Sequence, residues 1–135
     1  MSGVVLSFAA LAAAQFSLKN IIKVGGIIAV VNTFGKDINK GINKIASHTD
    51  SVKLATKVVP ILSIGVGKSS AIGIAQVMGP PDAVARTVAV AQPEADLLGR
   101  EVRIRALIPV ASKDITKGIS RVDGVGVSGI VDLKL

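Results

Sequence analysis

Residues 34–58 read FGKDINKGINKIASHTDSVKLATKV, and the hydrophobic period changes inside this stretch. In its first half Phe34, Ile38, Ile42 and Ile45 recur at helical spacing, which predicts one apolar stripe on a helix over 34–46. Lys36, Lys40 and Lys44 lie two residues further on, about 200° round, and form the opposite face. Gly35 and Gly41 each weaken such a helix by about 1 kcal/mol relative to Ala. The helix therefore depends on packing its Ile stripe against something else. In the second half Val52, Leu54, Thr56 and Val58 alternate with Lys53, Ala55 and Lys57, which predicts a strand from Val52.

Upstream, Leu18, Ile21, Ile22, Val24, Ile27, Ile28, Val30 and Val31 are almost continuous, and predict a more deeply buried helix over 17–31. Gly25-Gly26 marks a kink or break in it. Residues 3–14, GVVLSFAALAAA, are too short for a membrane span, which needs about 20 residues. They suit a signal-peptide core, with Ala12-Ala13-Ala14 as a small-residue cleavage site before Gln15. The basic residues that normally precede such a core are missing. The expectation is export to the periplasm or cell surface, with residues 15–135 as one mature domain, helical over 15–48 and β-rich over 52–135.

Downstream, period-2 segments recur around 72–78, 84–91, 102–108 and 125–133. Gly79-Pro80-Pro81-Asp82 separates two of them. Pro93 to Gly99 has Pro early, acids in the first turn and Gly last, which predicts a short helix with Glu94 and Asp96 on its positive end. Ser112 at a cap position predicts a second short helix to Ser120, which Gly118 weakens. Short connections favour antiparallel pairing. The fold expectation is α+β: N-terminal amphipathic helices on one face of an antiparallel sheet of about five strands.

Composition narrows function by exclusion. The 135 residues carry 16 Lys+Arg against 9 Asp+Glu, a net charge of +7, with no Cys and no Trp or Tyr. Without Cys there is no disulfide framework and no thiolate metal site or nucleophile. Residues 1–68 hold eight Lys and two Asp, so most of the excess charge lies there. Basic charge can signal nucleic acid, but no aromatic follows Phe34, so the body has no stacking platform for bases.

Four constellations invite a chemical reading. Ile64-Gly65-Val66-Gly67-Lys68-Ser69-Ser70 ends like a P-loop, but Leu62 stands where the motif needs Gly, and a strand pattern follows instead of a helix. It reads as a hairpin turn. Ser47-His48-Thr49-Asp50-Ser51 holds three triad residue types within a polar linker, where a local turn bond by Asp50 or Ser51 is the expectation. His48 is the sole histidine, so a histidine-based metal site lacks a second ligand. Arg103 and Arg105 lie on one strand face, with Arg86 a possible neighbour, forming either an anion patch or a solvated face paired with acids such as Asp132.

The expected function is non-enzymatic, with no cofactor, metal or catalytic residue: binding or structure, with an anionic membrane or envelope surface as partner. The surface-binding residues are Lys36, Lys40, Lys44, Arg103 and Arg105. Competing readings are a carrier of apolar ligands or lipids, with a cavity between helices and sheet, and a subunit that self-assembles through edge strands around residues 84–92.

Overall fold

The computed structural model describes residues 25–65, 68–113 and 119–133. A helix α1 occupies 25–45. It is followed by β1 (Ala55–Gly65), β2 (Lys68–Gly79), α2 (Pro81–Arg86), β3 (Ala89–Gln92), β4 (Glu94–Leu97), a 3-10 turn (Leu98–Arg100), β5 (Val102–Arg105), β6 (Ile108–Val110) and β7 (Gly126–Val131). The class is α+β. The expected signal segment 1–14 lies outside the described residues, as do positions 17–24 of the first expected helix and 114–118 of the helix expected after Ser112.

Two helices were expected over 17–46, and one continuous helix runs through Asn32-Thr33 instead. Both residues are exposed there, and Phe34 continues the apolar row from Val30. Gly26 takes a left-handed φ of +68°, at the Gly pair read as a break.

The five-stranded sheet has the order β6-β3-β1-β2-β7. It is mixed rather than antiparallel, because β1 and β3 pair in parallel through Ile61↔Val90 and Leu62↔Ala91. Short links suggested antiparallel neighbours throughout. However, β2 and α2 intervene between β1 and β3, and the hairpin plus helix supply the long connection that a parallel pair requires. Both sheet faces are covered, not one. Val58 and Ile74 pack on α1 with Val30, Phe34, Ile38 and Ile42. Val59, Ile61, Ala75, Val77 and Val90 pack on the other side with Val84 of α2. This explains why the middle of β1, Val58 to Leu62, is an unbroken apolar run.

Three segments depart from their expected structure for identifiable reasons. The first strand begins at Ala55, not Val52. Ser51 Oγ accepts hydrogen bonds from the N–H groups of Lys53 (3.2 Å) and Leu54 (3.1 Å), and this turn holds Val52 out in solvent. Residues 81–86 form α2, which takes up Val84 to Arg86 where a strand was expected, with Pro81 in the first turn, Asp82 at the positive end and Arg86 in the last turn. Residues 84–92 therefore form no sheet edge, since β3 lies between β1 and β6. Glu94 to Leu97 is a strand, not a short helix. It pairs with β5 as a separate two-stranded ribbon through Glu94↔Arg105 and Asp96↔Arg103.

Pro60 sits inside β1 without disrupting it. The Thr56 N–H points away from β2, to Asp50, and two-residue parity puts the missing N–H of Pro60 on that same outward side. Ladder pairing with β3 begins just beyond it, at Ile61. The β1–β2 ladder closes at Gly65↔Lys68. Lys68 and Ser69 thus open a strand, and not the helix that phosphate cradling requires.

Candidate functional site

The buried side of α1 is centred between its isoleucines and its asparagines. Phe34, Ile38 and Ile42 meet Val58, Ile74 and Val131. Asn39 and Asn43, each 100° further round, face Thr56 of β1 and Gln76 of β2. That offset carries the last residue of the expected stripe off the sheet: Ile45 is 88% exposed. The other three residues of the stripe are committed to the protein's own core.

The asparagines belong to a polar chain in which each hydrogen bond has a defined direction. Ser128 Oγ donates to Gln76 Oε1 at 2.6 Å. Gln76 Nε2 donates to Asn43 Oδ1 at 2.7 Å and Asn39 Oδ1 at 3.0 Å. Both asparagines donate through Nδ2 to Thr56 Oγ1, each at 2.9 Å. Thr56 Oγ1 in turn donates to Asp50 Oδ1 at 2.7 Å. A hydroxyl has one donor and two acceptor sites, so Thr56 is saturated. Gln76 is 1% exposed and Thr56 9%, and among the described residues no buried side-chain nitrogen or oxygen lacks a partner.

The end of α1 delivers His48 to this chain. The Ser47 N–H bonds Lys44 O at 3.3 Å and the His48 N–H bonds Asn43 O at 2.8 Å, with Ser47 left-handed at φ 55°, a Schellman closure. His48 Nε2 then lies 3.1 Å from Asp50 Oδ1, and the His48 side chain is 17% exposed. The linker is thus not simply solvated, because His48 and Asp50 converge. Their third partner is Thr56, not a serine. The hydroxyl and the imidazole both address the carboxylate, whereas a nucleophilic triad places the imidazole between hydroxyl and acid. Ser51 Oγ is occupied as an acceptor in its own turn.

Burial pulls the Asp50 carboxyl upward, but hydrogen bonds from the Thr56 hydroxyl and N–H, together with His48, outweigh it and hold the group below its ordinary value. A carboxyl depressed on folding contributes stability above its unfolded pKa, and loses it as pH falls through the folded value. Stability should therefore decline with acidification below about pH 4, the ordinary carboxylate range, and the decline should be shallower in Asp50→Asn. Urea midpoints from pH 2 to 6 read this directly; parallel profiles would show that Asp50 is not coupled to folding.

On the asparagine flank of α1 lies an open cleft of about 1170 Å³. Lys36, Lys40 and Lys44 line it, with His48, Asp50, Thr56 and Lys57. Among the described residues no ion pair holds any of the three helix lysines. Lys57 Nζ donates to Thr87 O at 2.8 Å, and burial, with the charge of Lys113, lowers its pKa. The arrangement places three ammonium groups without an ion-pair partner among the described residues beside hydrogen-bonded amides, a surface suited to anions.

Arg103 and Arg105 do not join this cleft. They lie on the β4–β5 ribbon and pair across it with Asp96 and Glu94, each at 3.2 Å, not with Asp132. Arg86 is at the end of α2, not on a strand beside them. Periodicity marks none of Asn39, Asn43, Thr56, Gln76 and Ser128 as a site residue. One signal was available: amide side chains at i, i+4 directly after Ile38 and Ile42, and a lone Gln inside the apolar run of β2. No protein-family model, curated protein or solved structure matches the chain.

Proposed function

We propose that this is an exported, non-enzymatic domain that binds an anionic surface, membrane or envelope, through the lysine flank of α1. One observation carries the reading: Lys36, Lys40 and Lys44 line one open cleft, free of ion pairs among the described residues, while the opposite side of the helix packs on the sheet. The helix is thereby a rigid mount for a row of positive charge and does not itself enter a bilayer. Export is part of the reading on the strength of residues 3–14. The convergence of Thr56 and His48 on one carboxylate favours a structural role for that cluster over nucleophilic chemistry.

Attraction of this kind amounts to about 1 kcal/mol per Lys near an anionic surface, and salt screens it. Lys36/Lys40/Lys44→Gln should therefore weaken co-sedimentation with phosphatidylglycerol vesicles roughly a hundredfold at low salt. Equal binding by this variant and the parent would remove the reading.

A further inference from the structure

The β4–β5 ribbon has two unlike faces. Glu94 and Asp96 pair with Arg105 and Arg103 on one, so that face is electrically balanced. Ala95, Leu97, Val102 and Ile104 share the other, in the register Ala95↔Ile104 and Leu97↔Val102. That face is exposed and joins none of the hydrophobic clusters of the described residues: Leu97 is 47% exposed, Val102 41% and Ile104 46%. At the tip Leu98 is 74% exposed.

The tip is unusual for a turn left in water. Leu98, Gly99 and Arg100 are all left-handed, at φ 53°, 63° and 77°. Gly adopts this backbone freely, but for Leu it costs about 1–2 kcal/mol, and turns of this kind normally use Gly, Asn or Asp. An isolated two-stranded ribbon is also marginal in water. The strained backbone holds a bulky apolar side chain outward at the point furthest from the ribbon's base, where Ala106 N–H bonds Pro93 O at 3.0 Å.

We propose that the ribbon is a second contact, an arm that places Leu97, Leu98, Val102 and Ile104 in the interfacial layer of an anionic bilayer, with Arg100 at the headgroups. Two observations favour a bilayer over a second copy of the chain. Four side chains can cover on the order of 400 Å², well short of the ~800 Å² per partner of a stable interface. The net charge of +7 complements anionic lipid and opposes a second basic copy. The inference rests on the surface-binding reading for its partner but uses different residues.

The chain lacks Trp, so Leu98→Trp in the full protein introduces a single clean reporter. With phosphatidylglycerol vesicles its emission should shift to the blue and be quenched by brominated acyl chains. Leu98→Gln/Ile104→Gln, whose sites are already exposed, should melt within ~2 °C of the parent. That variant should nevertheless lose at least tenfold in vesicle affinity at salt high enough to suppress the lysine contribution. An unshifted Trp on vesicle-bound protein would overturn the arm while leaving the lysine reading intact. Equal high-salt binding by the double variant would do the same, as would ribbon-dependent dimerisation without lipid. Failure of the lysine reading is seen separately, as unchanged low-salt binding by Lys36/Lys40/Lys44→Gln.

Discussion

Replacing Gln76 by Leu is expected to lower the free energy of unfolding by about 2–3 kcal/mol, although the side chains are similar in size. Gln76 is the only group that donates to both Asn39 Oδ1 and Asn43 Oδ1 among the described residues, and its own Oε1 takes the Ser128 hydroxyl. The substitution leaves two acceptors against an apolar side chain. Ser128 keeps an alternative, since its Oγ also reaches Gln76 O at 3.3 Å. Leaving a buried partner unsatisfied costs about 1–3 kcal/mol, and total stabilities are only about 5–15 kcal/mol. Urea denaturation measures the loss, and a cycle with Asn43→Ala measures the coupling. A loss under about 0.5 kcal/mol would mean that water from the cleft replaces the amide.

Ile74→Ala is expected to have an effect as large or larger, about 3–4 kcal/mol, by leaving a cavity. Ile74 is 0% exposed and joins the sheet to Val30, Phe34, Ile38 and Ile42 of α1. Ile72 is the instructive control. The β1–β2 ladder passes from Ile61↔Gly73 to Leu62↔Ala71, so Ile72 is the extra residue of a bulge and is 47% exposed. Ile72→Ala should cost under about 1 kcal/mol. Similar losses at the two positions would show that the bulge is misplaced. Loosening α1 should also unfix the lysine row, so Ile74→Ala should weaken vesicle binding at temperatures where Ile72→Ala does not.

Periodicity by itself determined a good deal. The row Phe34, Ile38, Ile42 specifies a helix with its lysines opposite, because helical spacing puts residues four apart on one side. Alternation specified β2 and β7, and the antiparallel pairing of β1 with β2 was legible because a strand pattern follows Lys68. The α+β class followed from the change of period after Ile45.

Other features depended on contacts that no local pattern encodes. The parallel β1–β3 pair follows from strand order, which brings together residues about 30 apart in the chain. The ribbon forms because Glu94 and Asp96 find Arg105 and Arg103 across it, and that pairing overrides a helical reading of Pro93 to Gly99. A one-residue bulge put Ile72 in solvent and Ile74 in the core. The polar chain beneath α1 is the clearest case. Asn39, Asn43, Thr56, Gln76 and Ser128 are unremarkable singly. They act as a unit only where a helix and three strands meet, because a buried amide is tolerable only when partners from other elements satisfy it.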